Sequence, residues 1–195
     1  MLSKNTKQQN LIVTDEGEPE ITVDDIEVAQ FIYLLLHNEK IRKVIDTITS
    51  KVVLILGRFT PKRKPALDML RDQLRTRDRT PILFDFKGPS SKNITDTVKL
   101  LAQMARYIIV DLSDPNSAPY ELAVISMLGL KTTPVVPIIV STQKPFPMVD
   151  DVLSERWSTG LITYRDLDDL RRLVNGKLVN DAEAKVLELR RPQPE

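Results

Sequence analysis

The chain has 195 residues, enough for one domain with an attachment and for a proper core. Its 28 Lys and Arg against 27 Asp and Glu leave a net charge of +1, which argues against bulk electrostatic capture of nucleic acid or an anionic membrane. The absence of cysteine excludes disulfides, thiolate catalysis and Cys-based zinc sites, the single histidine argues against a Ser-His-Asp triad, and six glycines leave no room for a Gly-rich phosphate loop.

Residues 1–23 are polar, with a DEGEPE cluster, and read as a flexible lead-in. They lack the apolar core of a signal peptide, and the run FIYLLL at 31–36 is far too short to span a bilayer, so the chain is expected to be cytoplasmic. Residues 24–50 read as one long helix, opening at Asp24 or Asp25, with no Gly or Pro before Ser50. Its first half is apolar nearly all round and needs a partner surface. From Lys51 to about residue 190 the pattern alternates strand and helix. KVVLILG is a buried strand, then PKRKPALDMLRDQLRTRD a helix with Pro61 near its first turn. PILFDF, RYIIVDL, PVVPIIVS and GLITYRD are the further strands, and the two prolines of PVVPIIVS require a position that tolerates missing donors. NITDTVKLLAQMA and SAPYELAVISMLGL are helices, a short helix is expected around Val149 to Arg156, and LDDLRRLVNGKL and DAEAKVLELRR are two closing helices before the 191–195 tail. The predicted fold class is α/β, a flavodoxin-like five-stranded parallel sheet of order 2-1-3-4-5 with helices on both faces.

In such a sheet ligands bind outside the carboxyl ends of the strands, where the strand order reverses. That points to Gly57, Arg58 and Phe59 after the first strand, Phe86 after the second, and Asp111, Ser113 and Asp114 after the third. Arg58, Lys62, Arg63 and Lys64 form a basic cluster suited to phosphate, and Phe59 and Phe86 suit stacking on a ring. Glu121 falls in the opening turns of the next helix, where a carboxylate can hold ribose hydroxyls or support an oxocarbenium-like centre. A receiver-type phosphoacceptor is rejected, because Gly57-Arg58 stands where two acidic metal ligands are needed. Trp157 reads as a core anchor and His37 as a surface or packing residue.

The element order from Lys51 to about Leu189, with LILGRFTPKRKPALDMLRDQLR, PILFDFKGPSSKNITDTVKLLAQMARYIIVDL and DPNSAPYEL, resembles a bacterial TIR-like (Toll/interleukin-1 receptor homology) family. The resemblance implies the same five-stranded parallel fold. It also implies cleavage of the nicotinamide–ribose bond of NAD or a related nucleotide as substrate, with no metal or cofactor, and with Glu121 as the catalytic glutamate. It further implies activation by self-association or by other TIR-like domains in bacterial defence or signalling. Two alternatives stand beside it: a non-catalytic interaction or nucleotide-sensing module, and base exchange of the nucleoside deoxyribosyltransferase kind, whose Glu-Leu helix start is similar.

Overall fold

Val52 to Gly57 is an unbroken run of branched apolar residues closed by glycine, the pattern of a strand buried on both faces. In the computed structural model it is the centre of the sheet. The structure describes residues 10–85, 99–114 and 132–191. The chain divides into two units, residues 1–47 and 48–195.

In the first unit, β1 (Leu11–Ile12) and β2 (Thr22–Val23) pair antiparallel, with Leu11 opposite Val23. Residues 10–23 therefore form a small hairpin, where the composition predicts a flexible lead-in. Val13 is its buried residue, too little for a strand pattern to register in sequence. α1 (Ile26–His37) follows, capped by Asp25, whose carboxylate accepts from the amides of Glu27 and Val28, both at 2.9 Å.

The predicted single helix 24–50 is two helices, α1 and α2 (Glu39–Lys51), broken at Asn38. Asn38 is extended, with φ −118° and ψ 98°. Its side-chain oxygen accepts from the amides of Lys40 (3.0 Å) and Ile41 (3.2 Å), capping α2. The guanidinium of Arg42 turns back to the carbonyls of Leu36 (2.6 Å) and Leu35 (3.3 Å) and closes α1. The break needs neither glycine nor proline, because one asparagine and one arginine satisfy the orphaned backbone groups on either side of it.

The second unit holds β3 (Val52–Gly57), α3 (Lys64–Arg75), β4 (Thr80–Asp85), β5 (Tyr107–Asp111), β6 (Val135–Val140), α4 (Val149–Ser154), β7 (Ile162–Tyr164), α5 (Leu167–Leu173) and α6 (Val179–Arg190). Residues 99–104 are also helical. Pro65, rather than Pro61, lies in the first turn of α3. The five strands are parallel in the order β4-β3-β5-β6-β7, the flavodoxin-like 2-1-3-4-5 arrangement.

Strand periodicity divides the core between the two faces. Val52, Leu54, Leu56, Ile108 and Val110 face one side with Ala102, Ala105, Val149, Val152 and Trp157. Val53, Ile55, Tyr107, Ile109, Val136 and Ile138 face the other, against Leu67, Leu70 and Leu74 of α3 and Leu170, Ala182 and Val186 of the C-terminal helices. Each such aliphatic side chain contributes roughly 1.5–3 kcal/mol by leaving water.

Pro137 lies in an interior strand, paired in register with Val110. Val135 donates to Trp157 O and Ser141 to Tyr164 O, so the amides of odd-numbered residues of β6 face β7. The missing donor of Pro137 therefore faces the gap between the Val135–Ser158 bridge and the start of β7 pairing at Ile138–Ile162. The two closing helices are one continuous run, joined by a π-helical segment at Val174–Leu178 that absorbs Gly176. The buried residues Leu170, Val174, Leu178, Ala182 and Val186 recur every four positions, which drifts around a regular helix of 3.6 residues per turn. The wider segment returns them to the core face. At the amino edge of the sheet, Arg79 and Arg106 both donate to Glu183 of α6, at 2.8 and 2.9 Å. Burial pushes the Glu183 carboxyl up, but Arg106 and then Arg79 outweigh it and hold it below its ordinary range.

Candidate functional site at the carboxyl edge of the sheet

The strand order sets the carboxyl ends of β3 and β5 side by side, with β4 outside β3. Two strands end on aspartate after an apolar run, ILFD and IIVD. Both carboxylates are used, and differently.

Asp111, 2% exposed, lies at the end of β5. Its Oδ2 accepts from Nε of Arg63 at 2.9 Å and from Nη2 at 2.6 Å. The same Nη2 also donates to the Tyr164 hydroxyl of β7. Oδ1 of Asp111 accepts from the amide and hydroxyl of Ser113, and that hydroxyl in turn accepts from the Val140 amide at 2.9 Å. One carboxylate thus ties the turn before α3 to β5, β6 and β7. Burial disfavours the Arg63 cation, but the charge of Asp111, the Tyr164 hydroxyl and the hydrogen bonds to both together outweigh it, and its pKa rises above the ordinary value. Burial first, and then Asp111, push the Tyr164 phenol up.

Asp85 ends β4 and accepts from the Phe59 amide at 2.9 Å, with Arg58 Nη1 at 3.9 Å from the same oxygen. This fixes the loop that follows β3. Phe59 is exposed, and the Lys64 ammonium sits 5.2 Å from its ring centroid. Thr60 closes the turn into α3 by accepting from the amides of Arg63 and Lys64.

The sequence-selected residues therefore separate into two groups. Gly57, Asp111 and Ser113 are interior. A Cβ on Gly57 would come within 3.1 Å of Leu67 Cδ2 and 3.3 Å of Asp111 Cβ, so glycine there permits close packing of strand, helix and clamp. Arg58, Phe59 and Asp114 are part-exposed or exposed at the same edge. Glu121 and Phe86 lie outside the described residues.

The basic cluster is largely neutralised. Arg63 turns inward to Asp111, Lys64 pairs with Asp68, and Arg58 lies near Asp85. Lys62 is exposed. Sequence reasoning places Asp85 only in a loop flanking the site and passes over Tyr164. The signal for Asp85 was present, as the second of two strands ending on aspartate. Tyr164 had none, lying 101 residues from the arginine it meets.

Neither a family model nor a curated protein matches the sequence. Among solved structures, a GCN5-related glucosamine N-acetyltransferase region of a fungal multi-domain GH3 β-N-acetylglucosaminidase is similar over 67% of this chain, at 13% identity and a TM-score of 0.43. The matched part is 14% of that protein's length. A diflavin flavoprotein A3 from Nostoc sp. is similar over 71% of this chain and 97% of its own, at 11% identity and a TM-score of 0.48. Neither likeness carries an activity across to this chain.

Proposed function

We propose that the second unit is a TIR-like domain that cleaves the nicotinamide–ribose bond of NAD or a related nucleotide, with self-association as its activating step in bacterial defence or signalling. The observation that carries the reading is the strand order. It puts the loop bearing Arg58 and Phe59 beside the strand whose continuation leads to Asp114 and, seven residues on, to Glu121. In this reading Arg58 faces a phosphate oxygen and Phe59 or Phe86 a ring. The Glu121 carboxylate holds ribose hydroxyls and stabilises positive charge at the anomeric carbon as neutral nicotinamide departs. Water then adds at that carbon and loses a proton. Asp111 and Ser113 act by holding the loop, since their polar atoms are turned inward.

A second reading is a non-catalytic interaction module. The exposed apolar residues of α1 favour it. Nicotinamide release by wild type, Glu121→Gln and Glu121→Ala, each under crowded conditions, separates the two. The enzymatic reading predicts a loss of roughly 100-fold or more in both variants. Equal rates in all three remove Glu121 from any mechanism.

A further inference from the structure

Among the described residues, the exposed large apolar side chains are concentrated in the first unit. Ile12, Ile21, Val28, Phe31, Tyr33, Leu34 and Leu36 are all 37–57% exposed. Val28, Phe31, Ile32 and Leu35 fall at i, i+3, i+4 and i+7, the spacing of a helix seam that packs on another helix. Leu34, one turn beyond Phe31, also lines an apolar groove of about 480 Å³ with Leu11, Ile12, Ile26 and Tyr33. Val28, Phe31 and Leu34 together make an exposed apolar surface along α1.

We infer that this surface is the contact between two copies of the chain, paired antiparallel along α1. Three observations choose a second copy over other occupants. The first is charge. From Asn10 to Glu39 there is no Lys or Arg, while Asp15, Glu16, Glu18, Glu20, Asp24, Asp25 and Glu27 cluster ahead of Val28. That acidic approach repels an anionic lipid surface. The second is complementarity. An antiparallel pair sets the acidic start of one α1 beside the end of the other, where the chain continues into the exposed Lys40, with Arg42 held on the end of α1 and Lys43 paired with Glu39. The third is area. Aromatic side chains of roughly 150–250 Å² that are half exposed offer on the order of 100 Å² each. With the aliphatic side chains, two copies would bury on the order of 1,000 Å², which reaches the size of a specific interface.

The inference concerns the first unit and does not rest on the catalytic reading. Its test is the solution mass of the full chain, with no nucleotide present. Wild type is expected at twice the 22.2 kDa chain mass. Phe31→Glu and Leu34→Glu are each expected to shift it to one copy and to raise the dissociation constant at least 100-fold. Circular dichroism of both variants verifies that they fold. Because the chain has no cysteine, Phe31→Cys gives a clean second readout, an intermolecular disulfide on mild oxidation. A monomeric wild type at 100-micromolar order concentrations overturns the inference, and so does a dimer that survives both glutamates or leaves Phe31→Cys unlinked.

Discussion

Asp111 decides whether the carboxyl edge holds its shape. It is buried with Arg63, and each is the other's compensating charge. Removing one partner of such a pair strands the other in a low-dielectric setting, at a cost of about 3–5 kcal/mol. Asp111→Ala is therefore expected to lower unfolding stability by that amount in urea titration. Arg63→Met combined with Asp111→Ala should cost less than the sum of the single changes. Additive losses would contradict a clamp. His37 offers a milder, titratable contact. Its Nε2 lies 2.9 Å from Asp15 Oδ2, its Nδ1 2.9 Å from Tyr33 O, and its ring stacks on Tyr33. The hydrogen bond to Asp15, then that to Tyr33, raises its pKa above the ordinary 6.5. A raised folded-state pKa means that the contact's stabilisation is fully present below 6.5 and fades as pH rises through the raised value. NMR titration should find the His37 midpoint above 6.5, falling toward it in Asp15→Asn. An unchanged midpoint would show that Asp15 is not the cause.

Elements were legible where periodicity is strong and hidden where a single side chain decides. The five strands follow from branched apolar runs, and alternation of strand with helix pointed to a doubly wound sheet, of which 2-1-3-4-5 is one of the common orders. The break in the N-terminal helix turns on Asn38, which reads in sequence as an ordinary polar position and caps α2, while Arg42 closes the end of α1. Asn38→Ala removes two accepted hydrogen bonds and is expected to cost about 1 kcal/mol. The helical signal of the 26–51 segment in circular dichroism would fray first. No change would mean that backbone preference alone sets the break. The two-residue strands of the hairpin are too short to produce alternation. The two closing helices, read in sequence as 167–178 and 181–191, are one, and the four-residue spacing of the core positions fits a helix that continues with one widened turn.

At the scale of the molecule, the chain pairs an α/β unit with a smaller one whose described residues include several exposed large apolar side chains. Among the described residues no helix is long and apolar enough to cross a membrane, and the acidic run before α1 gives the exposed residues no attraction to anionic lipid. The candidate site was legible in its location, since the reversal in strand order marks it whatever the residues are. It was not legible in its division of labour. Nothing in the local sequence distinguishes Asp111, which is locked inward by a partner 48 residues away, from Asp114, which is not buried. The central claim is that the carboxyl edge between β3 and β5 is the working face for a nucleotide. An amide-resolved NMR titration of the full chain with NAD tests it most directly. The account predicts saturable shifts centred on Arg58, Phe59 and Asp114. Shifts confined to residues 10–47, or none up to millimolar-order nucleotide, would contradict it.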